Sequence, residues 1–337
     1  MSLSYTKVDI RGVAYKDVLG EILFSNNTVE KKYVTFADNV KANTIFTDTA
    51  HSVTLAAYTS GLPTAAGTIG VKDRIVTPVK LQAYDTFDME TLRTGRFNRD
   101  MKQGAWNMTS SEFEATVLNG IAPYISRKAE DNFWNGATAA TATAVAALTP
   151  GTGQTSVGTA EQTYVAAAPV TLTDGVVTKM IYDTTASAVG ARVKVAGTTI
   201  TAANIFTEYG KLYTATNAAV LLDQNVTPMI YAPYSHLAFI RQYNTSNTYK
   251  SDVFVDSKNT SNEISFQGIP IVFVPLPENC MILATKQNIV WCTDLLDDII
   301  YLEIGKVYLN ADLMFYKSIF TQESIVRNQK FNTLYLG

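Results

Sequence analysis

The stretch Val226-Thr-Pro-Met-Ile-Tyr-Ala-Pro-Tyr-Ser-His-Leu-Ala-Phe-Ile240 decides the fold. Pro228 and Pro233 bracket a short apolar run, too short for a helix and closed at both ends by residues that cannot donate to a ladder, so it reads as a buried strand. From Tyr234 the period changes to that of a helix, which continues to Tyr243 with Leu237 and Ile240 facing inward. A buried strand backed by a helix is the unit of a mixed, layered architecture. The same pattern extends to both sides. Val176 to Val189 and Thr201 to Leu222 predict amphipathic helices, the second with Ile205, Tyr209, Leu212, Thr216, Ala219 and Leu222 on one face. Ile264 to Pro275 predicts strand, turn and strand, and Met281 to Thr285 and Ile289 to Cys292 continue the sheet. Residues 176–297 therefore read as one compact unit.

Upstream the organisation is looser. Residues 1–44 are polar with scattered aromatics, and Phe24, Tyr33 and Phe36 have no periodic partner, which predicts an extended arm anchored on something other than a local core. Residues 45–80 place two strand-like arms around the Gly/Pro-rich tip Ser60-Gly-Leu-Pro63, a long projecting loop or hairpin. Such projections are usually functional. Residues 81–136 contain the strongest helix, 110–135, opened by the capping box Thr109-Ser-Ser-Glu112 and marked by Phe113, Val117, Ile121 and Ile125 every four residues. Pro123 should kink it. Residues 137–175 are dominated by Ala, Thr and Gly, with Glu161 and Asp174 the only charges; composition predicts a flexible, exposed insertion, with room for a small hairpin or decorating subdomain. Residues 298–337 hold long strands returning to an earlier part of the fold.

The chain has 337 residues, 17% of them charged, and a formal net charge of -3. That balance argues against a sequence-reading nucleic-acid protein, which carries a basic stripe, but not against a container for nucleic acid. The low charge, at first sight a sign of self-association, is partly a property of the 137–175 segment. No run approaches the ~18 apolar residues of a membrane span, and the N-terminus lacks a secretory leader's apolar core. Cys280 and Cys292 read as buried free thiols. His51 and His236 have no ligand-type partner three or four residues away, so no catalytic residue, cofactor or metal ligand is assigned. Gly151-Thr-Gly-Gln-Thr-Ser-Val-Gly158 lacks the Lys-Ser/Thr of a phosphate loop and reads as a turn, and Asp297-Asp298 as a solvated one.

The order of arm, projecting loop, long helix, compact unit and returning strands resembles the major capsid proteins of tailed bacteriophages, the Hong Kong 97-type shell fold. Lys80-Leu-Gln-Ala-Tyr-Asp-Thr-Phe-Asp-Met-Glu-Thr-Leu92 looks like the strand and short helix after that family's extended loop. Val226 to Ile240 looks like its buried strand and helix, and Gly268-Ile-Pro-Ile-Val-Phe-Val-Pro-Leu-Pro277 with Met281 to Thr285 is similar to its late axial strands. The resemblance covers most of the chain outside 137–175, as pattern and not as signature motif.

The resemblance implies an α+β fold with 1–44 as N-terminal arm, 45–80 as extended loop, 81–136 and 298–337 as peripheral domain with spine helix 110–135, and 176–297 as axial domain. It further implies a subunit that assembles with itself into hexamers and pentamers of an icosahedral virion shell, in the cytoplasm of a host bacterium, around double-stranded DNA held without sequence-specific contacts. A scaffolding protein would be a separate chain, and a portal a further partner. Phe24 and Phe36 on the arm, and Leu62, Ile69 and Val71 on the loop, are the expected subunit contacts. Some family members weld subunits through a Lys-Asn bond; Lys72 lies on the loop, but no partner can be chosen for it. The rival readings are an encapsulin-like compartment, distinguished by a protein cargo, and a tail-tube or surface-layer subunit, distinguished by tubes or sheets.

Overall fold

The computed structural model describes residues 8–9, 27–40, 44–52, 68–88, 111–183, 188–190, 192–222, 227–246, 254–256, 264–294, 301–307 and 310–337. Two sheets organise them. The first is built on β16 (Asn310–Val326), a 17-residue strand. It pairs antiparallel with β15 (Tyr301–Val307), β5 (Val79–Asp88) and β14 (Ile289–Cys292), while β1 (Val8–Asp9) extends it beyond β15 and β2 (Thr35–Ala37) runs parallel to β14. The second has seven strands in the order β10 (Phe254–Asp256), β11 (Ile264–Phe266), β12 (Ile269–Val274), β9 (Pro228–Pro233), β13 (Cys280–Thr285), β17 (Thr333–Leu336) and β8 (Val193–Ala196). β9 is the predicted proline-bracketed strand, and Ile230, Tyr231 and Ala232 on it are fully buried.

The long helix α2 (Ser111–Asn135) lies on the first sheet and joins it to the second. Ile125, Ala129 and Phe133 at four-residue spacing are buried, and Gln322 on β16 donates from Nε2 to the Ala129 carbonyl at 2.7 Å. At its C-terminal end Phe133 stacks on Trp291 at 4.3 Å, and Trp134 meets Tyr231 of β9 at 5.0 Å between ring centroids. Offset aromatic pairs of this kind contribute about 0.5–1.5 kcal/mol beyond their buried area. Pro123 lies inside the helix and is exposed; the capping box at Thr109 falls outside the described residues.

Several boundaries differ from the sequence reading, each for a physical reason. The predicted helix over 176–189 ends early: α5 (Val176–Ile181) gives way to the short pair β6 (Tyr182–Asp183) and β7 (Ala188–Val189). Gly190 packs so closely on α5 that a Cβ there would sit 1.9 Å from the Met180 carbonyl oxygen, so the chain turns back against its own helix. The predicted helix over 201–222 is two, α6 (Ile205–Ala215) and α7 (Ala218–Leu222). Thr216 breaks it by taking an extended backbone while its hydroxyl donates to the Leu212 carbonyl, a competition typical of a β-branched hydroxyl residue. Behind β9, α8 (Ser235–Ser246) buries His236 and Ile240.

Two strands change sheets. β14 does not continue β13 but crosses to the first sheet through the 3-10 turn Lys286–Asn288, and β17 leaves the first sheet to lie between β13 and β8. Both are wholly buried runs, so no alternation assigns them to one sheet or the other. The 298–337 segment thus serves both sheets.

The Ala/Thr/Gly-rich segment is not a loose exposed loop. It folds as α3 (Ala139–Ala146) and α4 (Thr159–Ala167), packed on the main core. Val145, Val157 and Val165 belong to the same buried cluster as Trp134. Asp174 receives the Thr138 N–H and the Thr141 hydroxyl, and Gln162 donates to the carbonyls of Val145 and Leu148, tying the helices together. Glu161, 2% exposed, accepts from the Gly158 N–H at the start of α4 and pairs with buried Arg192.

The arm also differs from expectation over its described part. Residues 27–40 dock on their own chain. In α1 (Asn27–Glu30), the Thr28 amide and hydroxyl both donate to Glu130, and the Trp134 indole N–H donates to the Thr28 hydroxyl. The Tyr231 hydroxyl donates to the Tyr33 carbonyl. Tyr33 and Phe36 are half-buried against the main core, which no local periodicity could reveal because the core is supplied by residues ~100 to 250 positions away.

Candidate assembly surface

The loop expected at 45–80 is a hairpin of β3 (Thr44–Ser52) and β4 (Thr68–Val76), and among the described residues these two strands pair only with each other. The register sets its two faces, because directly opposed residues share a side and successive ones alternate. Phe46, Arg74 and Val76 lie on the face toward the body. Val76 is buried with Val40, Val290, Cys292 and Ile325, Phe46 packs on that cluster, and Arg74 pairs with Asp183 at 3.3 Å. That side is anchored.

Among the described residues, none covers the other face. Ile45 and Ile75 are opposed across the strands at 57% and 55% exposure, and Val71, opposed to Thr49, is 61% exposed. Asp73 sits between the two β4 aliphatics and accepts from the Thr47 hydroxyl at 2.8 Å. Covering three half-exposed aliphatic side chains is worth roughly 1 kcal/mol each. One such contact is weak, whereas the same contact repeated around a closed assembly is not.

Of the expected contact residues, Val71 is on this open face. Ile69 is in the same strand, paired with His51 and two residues before Val71, with its side chain outside the described residues. Phe24 and Leu62 lie outside them as well. Phe36 sits elsewhere, in β2 opposite Trp291, half-buried on its own core. Ile45 and Ile75 were missed by the sequence reading. The alternation Ile69, Val71, Asp73, Ile75 marks the strand face, but the match of Ile45 to Ile75 emerges only from the register.

Among the described residues, His236 and the two cysteines are held structurally. His236 is fully buried between the Tyr209 hydroxyl, 3.0 Å from Nδ1, and the Glu278 carbonyl, 2.8 Å from Nε2. A carbonyl only accepts, so Nε2 carries the proton and Nδ1 accepts from Tyr209. Burial lowers its pKa to about 4, against the backbone hydrogen bond. Burial likewise pushes the Cys292 thiol up to about 12 and the Cys280 thiol higher still, so neither supplies a thiolate. Among the described residues no group of three His, Cys, Asp or Glu side chains is placed to hold a metal ion, and no helix is long and apolar enough to cross a membrane.

The sequence matches no protein-family model and no curated protein. Its structure does match solved ones. The capsid of an empty GTA particle is similar over 100% of this chain and 95% of that one, with a TM-score of 0.55 at 14% identity. A chain of the satellite phage P4 procapsid, which includes a size-determination (Sid) protein, is similar over 99% and 92%, with a TM-score of 0.53 at 12% identity. The capsid of the Myoviridae phage XM1 is similar over 100% and 96%, with a TM-score of 0.53 at 10% identity. Coverage that is near complete in both directions at such low identity speaks for shared architecture, and the chain has the α+β fold of phage capsids.

Proposed function

We propose that this chain is a major capsid protein, many copies of which close into an icosahedral shell of hexamers and pentamers around viral double-stranded DNA. The observation that carries the reading is the open aliphatic face of the β3–β4 hairpin, on a chain whose fold is that of phage capsids and whose buried clusters, among the described residues, leave that face out. In this reading the hairpin is the extended loop and lies on a neighbouring subunit. α2 is the spine helix, the β16 sheet is the peripheral domain, and the seven-stranded sheet with α6 and α8 is the axial domain. The DNA is enclosed and not read. A chain of net charge -3 can wall in DNA that keeps its own counterions, and phosphate contacts would add affinity without sequence preference.

The role is structural, in the virion, after assembly in the bacterial cytoplasm with a separate scaffolding protein and a portal. Particles isolated from the natural host and treated with nuclease test it. Protected double-stranded DNA inside particles whose main protein is this chain is the expected result. Particles holding a protein cargo and no nucleic acid would overturn the DNA assignment.

A further inference from the structure

Helix α2 carries a surface stripe that the hairpin does not use. Tyr124 is 69% exposed, with the Arg127 guanidinium 5.8 Å above its ring, and the Lys128 side chain is 80% exposed. Two turns beyond Tyr124, ~10 Å along the axis, and one turn beyond Arg127, Asp131 and then Asn135 enter the wall of a groove of about 550 Å³. Its other walls include Tyr164 of α4 and Leu276 and Glu278 of the β12–β13 turn. Among the described residues no Lys or Arg lines it, and Val170 and Leu172, 78% and 64% exposed, lie one and three residues past Pro169 at its edge.

The stripe is therefore self-complementary. One end is a convex aromatic and cationic knob, and the other is a concave apolar groove with two carboxylates. Rotating a second copy about a two-fold axis between the two ends brings each knob to the other's groove, the arrangement of an isologous contact. The sign of charge selects this occupant over the other open surface of the chain, because the hairpin face carries Asp73 among its aliphatics and would bring negative charge to a negative groove. Tyr and Arg are the side chains that most often dominate interface energetics. The Lys128 to Asp131 contact at 3.7 Å is an exposed pair three residues apart, worth a few tenths of a kcal/mol, and is readily exchanged for a partner's cation.

We infer that two copies of this chain pair through a two-fold contact in which Tyr124 and Arg127 of each enter the groove beside Asp131 and Glu278 of the other. The inference rests on the shell reading for the abundance of copies, but its test does not depend on closed shells. Tyr124→p-benzoylphenylalanine, prepared in mixed isotope-labelled and unlabelled copies and irradiated, should crosslink between chains to residues 160–169 or 275–279. Crosslinks only within one chain, or to other segments of the partner, overturn the contact. Arg127→Glu and Glu278→Arg should each reduce the yield of assembled particles about ten-fold, equivalent to about 1.4 kcal/mol, and the two together should restore it. Circular-dichroism melting within about 2 °C of wild type shows that the subunits still fold. Singles that assemble normally, or a double variant no better than either single, overturn the contact while leaving the shell intact. The expected crosslink from a chain that never forms closed particles would keep the contact and overturn the shell.

Discussion

The β3–β4 hairpin and the α3–α4 segment stand on opposite sides of one physical distinction. The hairpin is rich in aliphatic and charged residues, yet Ile45, Val71 and Ile75 are left more than half exposed on a face that none of the described residues covers. The α3–α4 segment is nearly uncharged, yet it is docked by Thr141, Val145, Val157, Glu161 and Val165, all buried. A few buried positions four residues apart suffice to hold a helix made mostly of Ala and Thr, because small side chains let it approach closely. The lesson is that low charge did not mark the surface that seeks a partner. Exposed apolar residues on a strand with one neighbour among the described residues did.

Breaking each region should give opposite phenotypes. The largest effect is expected from Ile45→Ser, Val71→Ser and Ile75→Ser together. Electron microscopy should find closed particles reduced about a hundred-fold, the equivalent of ~3 kcal/mol, with the melting of the free subunit little changed. A subunit that melts far lower would mean that the face is covered within the chain. Conversely, Arg192→Met takes from buried Glu161 its guanidinium partner, leaving it Lys194 at 3.5 Å and the Gly158 N–H, and should cost about 3 kcal/mol in urea unfolding. Arg192→Met with Glu161→Met should recover only part of it, because Lys194 loses its carboxylate and the Gly158 N–H its acceptor.

Acid should act on the body and spare the hairpin's packing. His236 has a folded pKa of about 4 against about 6.5 unfolded. Between those values the unfolded chain binds a proton that the folded chain does not, so stability is full above pH 6.5 and falls as pH drops toward 4. The loss is up to about 3 kcal/mol, and it should be missing from the pH profile of His236→Gln. Smaller still, Val165→Ala should cost about 2 kcal/mol because it opens a void under α4. Val170→Ala, at an exposed position, should stay within about 0.5 kcal/mol. Equal costs at 165 and 170 would erase the distinction between docked and open residues.

Much of this architecture is legible in the residues themselves. The Pro228–Pro233 run, the four-residue period through Ile125 and the two arms around Gly61 each announce one element. What the sequence hides is long-range. The partner of Thr28 is Glu130, the partner of Phe36 is Trp291, and the sheet that receives Leu334 is set by Ile282 and Lys194, none of which is local. For the assembly surface, Ile69 and Val71 were named from the sequence and the alternation through Asp73 leads on to Ile75, but placing Ile45 beside Ile75 needed the strand register. Phe36 misled because an isolated aromatic beside polar residues looks the same whether its cover comes from its own chain or another.

Imaging the purified, concentrated chain by electron microscopy tests the central claim most directly. Closed particles of uniform diameter with five-fold and six-fold clusters of this subunit are the predicted result. Open tubes, flat sheets, or a chain that stays monomeric under every assembly condition would contradict it.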